Sequence, residues 1–125
     1  MQRFVILEHD HPFLHWDFML EIAGVLRTWR LPEPPRAEVM QTATALGDHR
    51  LAYLEYEGPL SGERGRVKRW DCGVFSWVLC EEDQLQVALK GARVQGMIQI
   101  SRVCQEEWQF HLKGPASPPS PLAPG

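Results

Sequence analysis

Apolar residues recur at every second position through most of this chain, and turn-forming residues interrupt them at short intervals, a pattern that specifies strands. His15 to Ile22 is the clearest case, with Trp16, Phe18, Leu20 and Ile22 alternating with His15, Asp17, Met19 and Glu21. Further strands are expected at Phe4 to Leu7, Val25 to Leu31, Leu51 to Glu57, Gly65 to Asp71, Gly73 to Leu79, Gln84 to Leu89, Gly96 to Val103 and Glu107 to Lys113. Gly24, Gly58-Pro59, Ser61-Gly62, Gly73, Lys90-Gly91 and Gly96 separate nearly all of them, as in meandering barrels and sandwiches. Only Ala37 to Ala45 reads as helix. The expected fold is mainly β, a small closed or partly open antiparallel β-barrel with one or two short helices.

A chain of 125 residues supports one modest core. Residues 1–113 are therefore expected to form one barrel domain, and 114–125, GPASPPSPLAPG, a disordered tail too rich in proline to pack. Hydrophobic residues at 44% and charged residues at 23% exclude a wholly disordered or membrane-spanning chain. The opening MQRFVILEHD reaches charge after four apolar residues, so neither a signal peptide nor a spanning helix is expected, and a cytoplasmic location without a membrane partner is. Cys72, Cys80 and Cys104 are odd in number and lack ligand spacing, which reads as reduced thiols.

A net charge of −3 argues against coating nucleic acid with the whole surface. The run Ser61 to Trp70 nonetheless gathers Arg64, Arg66, Lys68 and Arg69 against Glu63 alone. At strand spacing Arg64, Arg66 and Lys68 share a face, which suits either a few phosphates at a terminus or a solvated edge strand guarded by its charges.

Glu8 to Glu21, EHDHPFLHWDFMLE, holds three of the five histidines. Pro12 ends the first strand near His9, and two-residue spacing puts His15 and Asp17 on one face of the next. Two imidazoles and a carboxylate suit Mn²⁺, Zn²⁺ or Fe²⁺ with positions left for water or a phosphate oxygen; the other reading is the wet face of an amphipathic strand. His11 is expected in the turn, exposed. Further on, His49 and Tyr53 flank a strand start, where a histidine serves either as acid or base or as a structural hydrogen-bonding residue.

Together these blocks resemble the 3′-phosphoesterase domain of bacterial DNA ligase D. The resemblance rests on EHD at Glu8 to Asp10, HWDFMLE at His15 to Glu21, Gly24, TWRLP at Thr28 to Pro32, DHRLAY at Asp48 to Tyr53, YEG at Tyr56 to Gly58, WDCG at Trp70 to Gly73 and LKGARVQG at Leu89 to Gly96, in the family's order. It implies a metal-dependent enzyme, with manganese foremost and zinc or another transition metal as alternatives. Its substrates would be the 3′ ends of DNA or RNA primer-templates, from which it removes a 3′-ribonucleoside and a 3′-phosphate, beside a separate repair ligase or polymerase. His9, His15 and Asp17 would hold the metal, and His49 and Tyr53 would be catalytic. The family's basic residues are absent at Met19, Glu33 and Gln41. The phosphate grip is thus expected either to have moved to Arg30, Arg50, Arg64 or Arg66, or to be lost, leaving a non-catalytic module that binds metal or nucleic-acid ends.

Overall fold

Strands that alternate in sequence have two distinct faces, and here both faces of one wall are covered. The computed structural model describes residues 2–114. Its strands are β1 (Gln2–His9), β2 (His15–Ile22), β3 (Val25–Leu31), β4 (Met40–His49), β5 (Gly58–Pro59), β6 (Arg66–Cys80), β7 (Gln84–Gly91), β8 (Gln95–Cys104) and β9 (Glu107–Lys113). They pair antiparallel in the order β1-β2-β3-β4-β9-β8-β7-β6, and a β1–β6 ladder closes the ring. Closure leaves no long edge open to pairing with another chain. The two-residue β5 adds to β6 outside the ring.

The barrel interior is filled by alternate residues: Phe4 and Ile6 from β1, Phe18 and Leu20 from β2, Trp29 and Leu31 from β3, and Ile98, Ile100 and Phe110 from the far wall. The intervening residues of the first three strands form a second apolar cluster on the outer surface, of Val5, Leu7, Met19 and Leu26 with Val67. Leu54, from the 3₁₀ turn Leu51–Leu54, covers that cluster. His15 and Asp17, which share this outer face, are 0% and 4% exposed, with the rings of His9 and Phe13 packed against His15. The wet-face reading of this His-x-Asp pair therefore fails.

The expected helix at Ala37 to Ala45 is instead mostly β4. Its helix-forming alanines and methionine are overridden because the backbone must bridge β3 and β9, with Ala43 packed in the core. The expected strand at Leu51 to Glu57 is the 3₁₀ turn and the coil after it. The break expected at Gly73 is absent, and β6 runs through it. A Cβ at Gly73 would lie 2.0 Å from the Lys90 carbonyl oxygen, so this glycine serves close strand approach and not a turn. Cys72, Cys80 and Cys104 are free thiols, all in strands. The Pro-rich stretch from Pro115 lies outside the described residues, and Gly114 before it donates its N–H to Glu38 Oε2 at 3.0 Å. Among the described residues no helix is long and apolar enough to cross a membrane.

The WDCG and LKGARVQG blocks meet in one clasp. The buried Asp71 carboxylate accepts the N–H groups of Cys72 and Ala92 at 2.8 Å each through Oδ1, and those of Arg93 at 3.1 Å and Val94 at 2.8 Å through Oδ2. A Cβ at Gly91 would come within 2.4 Å of Asp71 Oδ2, so glycine is required where the loop closes on the carboxylate. The Arg93 guanidinium sits 4.8 Å from the Trp70 ring centroid on the same loop.

Candidate metal centre and its pocket

The β1–β2 register sets His9 directly opposite His15, and Asp17 follows two residues on, with its side chain on the same face. One ligand atom from each of the three lies within 4.8 Å of the others. Their orientation is set from behind. His15 Nδ1 lies 2.9 Å from the Phe13 carbonyl oxygen, and His9 Nε2 lies 2.8 Å from that of Arg64. A carbonyl only accepts, so both of these ring nitrogens carry the proton. In the neutral rings the opposite nitrogens present lone pairs, and both face Asp17 Oδ2, at 3.3 Å from His15 Nε2 and 3.8 Å from His9 Nδ1.

Three acceptors thus converge, and Asp17 Oδ1 is buried with no partner. A single proton would satisfy one of these contacts, whereas a cation satisfies all of them. Imidazoles whose far N–H groups are held by backbone carbonyls are the usual outer arrangement of a transition-metal site. The donor set therefore fits a divalent metal of the N/O-binding kind.

The cluster opens into a cavity of about 280 Å³ lined by His9, Asp17, Met19, Arg30, His49, Tyr53 and Arg64, among others. His15 stands behind it, fully buried. Arg30 is cross-strand from Asp17 in the β2–β3 register, and its buried Nε lacks a hydrogen-bond partner. Its guanidinium carbon lies 5.8 Å from the ring centroid of exposed Phe13. His49 Nδ1 lies 2.9 Å from the Gly47 carbonyl and 3.0 Å from Thr28 Oγ1, whose own hydroxyl donates to the Leu26 carbonyl at 3.0 Å. Nδ1 therefore carries the ring proton and donates to both, which leaves Nε2 for the cavity. The Tyr53 ring packs edge-on against His49 with centroids 5.6 Å apart.

Of the expected phosphate contacts, then, Arg30 and Arg64 line the cavity, and Arg50 and Arg66 do not. Arg50 lines an adjoining hollow. Arg66 lines a different one, among Glu8, Asp10, Glu57 and Lys68. Of the basic face expected of Arg64, Arg66 and Lys68, only Arg66 and Lys68 lie together on β6, which begins at Arg66, and Lys68 pairs with Glu8 at 3.6 Å. Arg64 sits in the preceding loop, its Nε donating to the Ser61 carbonyl at 2.7 Å. Met19 is 1% exposed and packed in the outer cluster. Gln41 and the Glu33 backbone exchange hydrogen bonds at 3.1 and 3.2 Å, so these two positions serve each other and not the cavity. His11 is exposed in the turn, as expected.

Sequence reasoning missed Thr28 and the carbonyls of Phe13 and Arg64. The signal for Thr28 was present, since TWR puts it on the face of Arg30. Backbone carbonyls leave no such trace.

A closed antiparallel barrel with a largely buried His-His-Asp cluster beneath an arginine-lined cavity defines a small β-barrel domain with a candidate metal centre. The chain belongs to the DNA ligase D 3′-phosphoesterase domain family, whose model matches residues 7–102. It is 35% identical over 117 residues to the multifunctional non-homologous end joining DNA repair protein LigD of Mycobacterium tuberculosis, covering 86% of this chain and 15% of that protein. It is also 31% identical over 110 residues to the multifunctional non-homologous end joining protein LigD of Pseudomonas aeruginosa, covering 80% of this chain and 13% of that one. The chain thus spans about 15% of the length of the curated relatives it matches.

Proposed function

We propose that this protein is a metal-dependent 3′-end-processing phosphoesterase acting on DNA or RNA termini, removing a 3′-phosphate and a 3′-ribonucleoside. Its setting is end repair in the cytoplasm, beside a separate ligase or polymerase. The observation that carries the reading is the convergence of His9 Nδ1, His15 Nε2 and Asp17 Oδ2, each imidazole fixed through its far nitrogen, under a cavity lined by two arginines.

His9, His15 and Asp17 would hold the metal; the mixed N/O set suits Mn²⁺, Zn²⁺ or Fe²⁺, and the likeness to the family puts Mn²⁺ foremost. When bound, the divalent cation supplies Lewis acidity toward phosphoryl oxygens and activates water. Arg30 and Arg64 flank the phosphoryl group. The unpartnered Arg30 Nε costs about 1–3 kcal/mol in the free protein, a cost offset when a phosphate oxygen accepts from it. His49, with Nδ1 donating to Thr28 and Gly47, presents Nε2 for proton transfer to the leaving oxygen, and the Tyr53 hydroxyl donates to a phosphate oxygen.

Purified protein with Mn²⁺ and a labelled primer ending in a 3′-phosphate or one 3′-ribonucleotide tests the assignment. Release of phosphate or nucleoside, abolished by Asp17→Ala, is expected. Mn²⁺ binding without cleavage would leave the barrel as a non-catalytic module that binds metal or nucleic-acid ends, a loss of activity consistent with the absence of basic residues at Met19, Glu33 and Gln41.

A further inference from the structure

Asp17 and Arg30 stand directly opposite each other in the β2–β3 register, so their side chains leave the same face of the sheet. Opposite charges at such a pair of positions ordinarily meet. Among the described residues, however, no ion pair or hydrogen bond joins these two. The Asp17 carboxylate faces the imidazoles of His9 and His15, with Oδ2 at 3.8 and 3.3 Å, while Asp17 Oδ1 and Arg30 Nε are each buried without a partner. The Arg30 guanidinium lies instead over the ring of Phe13, its carbon 5.8 Å from the centroid, which is within cation–π range.

Phe13 is 59% exposed, so its ring is not placed to fill a core. The ring meets His15 edge-on, with centroids 5.8 Å apart and planes at 67°, and the Phe13 carbonyl accepts His15 Nδ1–H at 2.9 Å. The main chain of this residue thus orients one candidate metal ligand, and its ring takes up a cation that would otherwise compete with the metal for another. We propose that Phe13 is a positioning residue that holds Arg30 off Asp17. The carboxylate then stays open to a divalent cation and the guanidinium to a phosphate oxygen. Closed into an ion pair, each would occupy the other before metal or phosphate arrived. The assignment rests on the metal reading of His9, His15 and Asp17.

The test is titration calorimetry of the full chain with MnCl₂, which reads affinity without any cleavage. Phe13→Ala frees the guanidinium to fall onto Asp17, and an ion pair that must open first should weaken Mn²⁺ binding by roughly threefold to tenfold. Phe13→Leu keeps apolar bulk but loses the π-face, so it should behave as Phe13→Ala does. Phe13→Tyr, which keeps the ring, should bind Mn²⁺ within about twofold of wild type. In an Arg30→Ala background no cation is left to collapse, and there Phe13→Ala should change Mn²⁺ affinity by less than about twofold. Unchanged affinity in both Phe13→Ala and Phe13→Leu would overturn the proposal. So would a loss of equal size in the Arg30→Ala background, because the residue would then act through His15 and not through Arg30. The expected pattern of affinities without cleavage of a 3′-phosphate primer would refute the phosphoesterase reading and keep the role of Phe13. Cleavage by a wild type whose Mn²⁺ affinity is indifferent to Phe13 would do the reverse.

Discussion

The Arg64 carbonyl accepts the Nε2–H of His9 at 2.8 Å, so the loop that brings a guanidinium to the cavity also sets the tautomer of a candidate metal ligand. Three ligands with none to spare make each one necessary. His9→Ala, His15→Ala and Asp17→Ala should each weaken Mn²⁺ binding by roughly tenfold or more, measured by titration calorimetry. Unchanged affinity in all three variants would remove the metal assignment.

Asp71 lies away from this chemistry, yet its carboxylate accepts four backbone N–H groups, three of them from the Gly91–Val94 loop. Asp71→Ala would leave buried donors unsatisfied, and a loss of about 3 kcal/mol or more is expected in denaturant unfolding. Asp71→Asn should lose nearly as much, because its amide N–H₂ faces donors. A change under about 1 kcal/mol would show that water replaces the carboxylate.

Much of the barrel was legible because β9 alternates strictly and β2 nearly so, and the bounds of β2, β3 and β9 agree with the sequence pattern residue for residue. The β4 segment was not, since its alanines, methionine and glutamine favour helix locally and only pairing on both sides makes it a strand. In the site, the His-x-Asp spacing on β2 and the turn at Pro12 placed three side chains together. What stayed hidden was the covering layer: nothing local to Leu51–Leu54 announces that Leu54 packs onto the outer apolar cluster.

Thr28 accepts the His49 Nδ1–H at 3.0 Å while its own hydroxyl donates to the Leu26 carbonyl, and Gly47 supplies a second acceptor to His49. Thr28→Val should keep the fold and lower kcat by roughly threefold to tenfold, the worth of one ordinary hydrogen bond, with Mn²⁺ affinity unchanged. Calorimetry beside the primer assay separates the two effects, and a matching fall in metal affinity would mean that the β3 wall itself had moved.

The last prediction asks where the phosphate grip resides. Met19 shares the outer face with His15 and Asp17, but it is 1% exposed and packed against Val5, Leu7 and Leu26, so it is not vacant space awaiting a charge. Met19→Arg replaces a packed apolar side chain at the cavity wall with a cation beside Arg30 and Arg64, and should cost about 2 kcal/mol or more of stability without raising the cleavage rate. Arg30 is the opposite case. Its Nε is buried and unpartnered before substrate arrives, so Arg30→Ala should leave the melting temperature unchanged or higher. The same change removes a charge-assisted contact of about 1.5–3 kcal/mol, which converts to roughly tenfold to hundredfold in rate on a 3′-phosphate primer. Arg30→Lys keeps the charge but not the planar fork, and should fall between the two. Rates and melting temperatures of the three variants, measured side by side, decide the matter. A faster Met19→Arg enzyme together with a fully active Arg30→Ala enzyme would show that the grip was lost and not relocated.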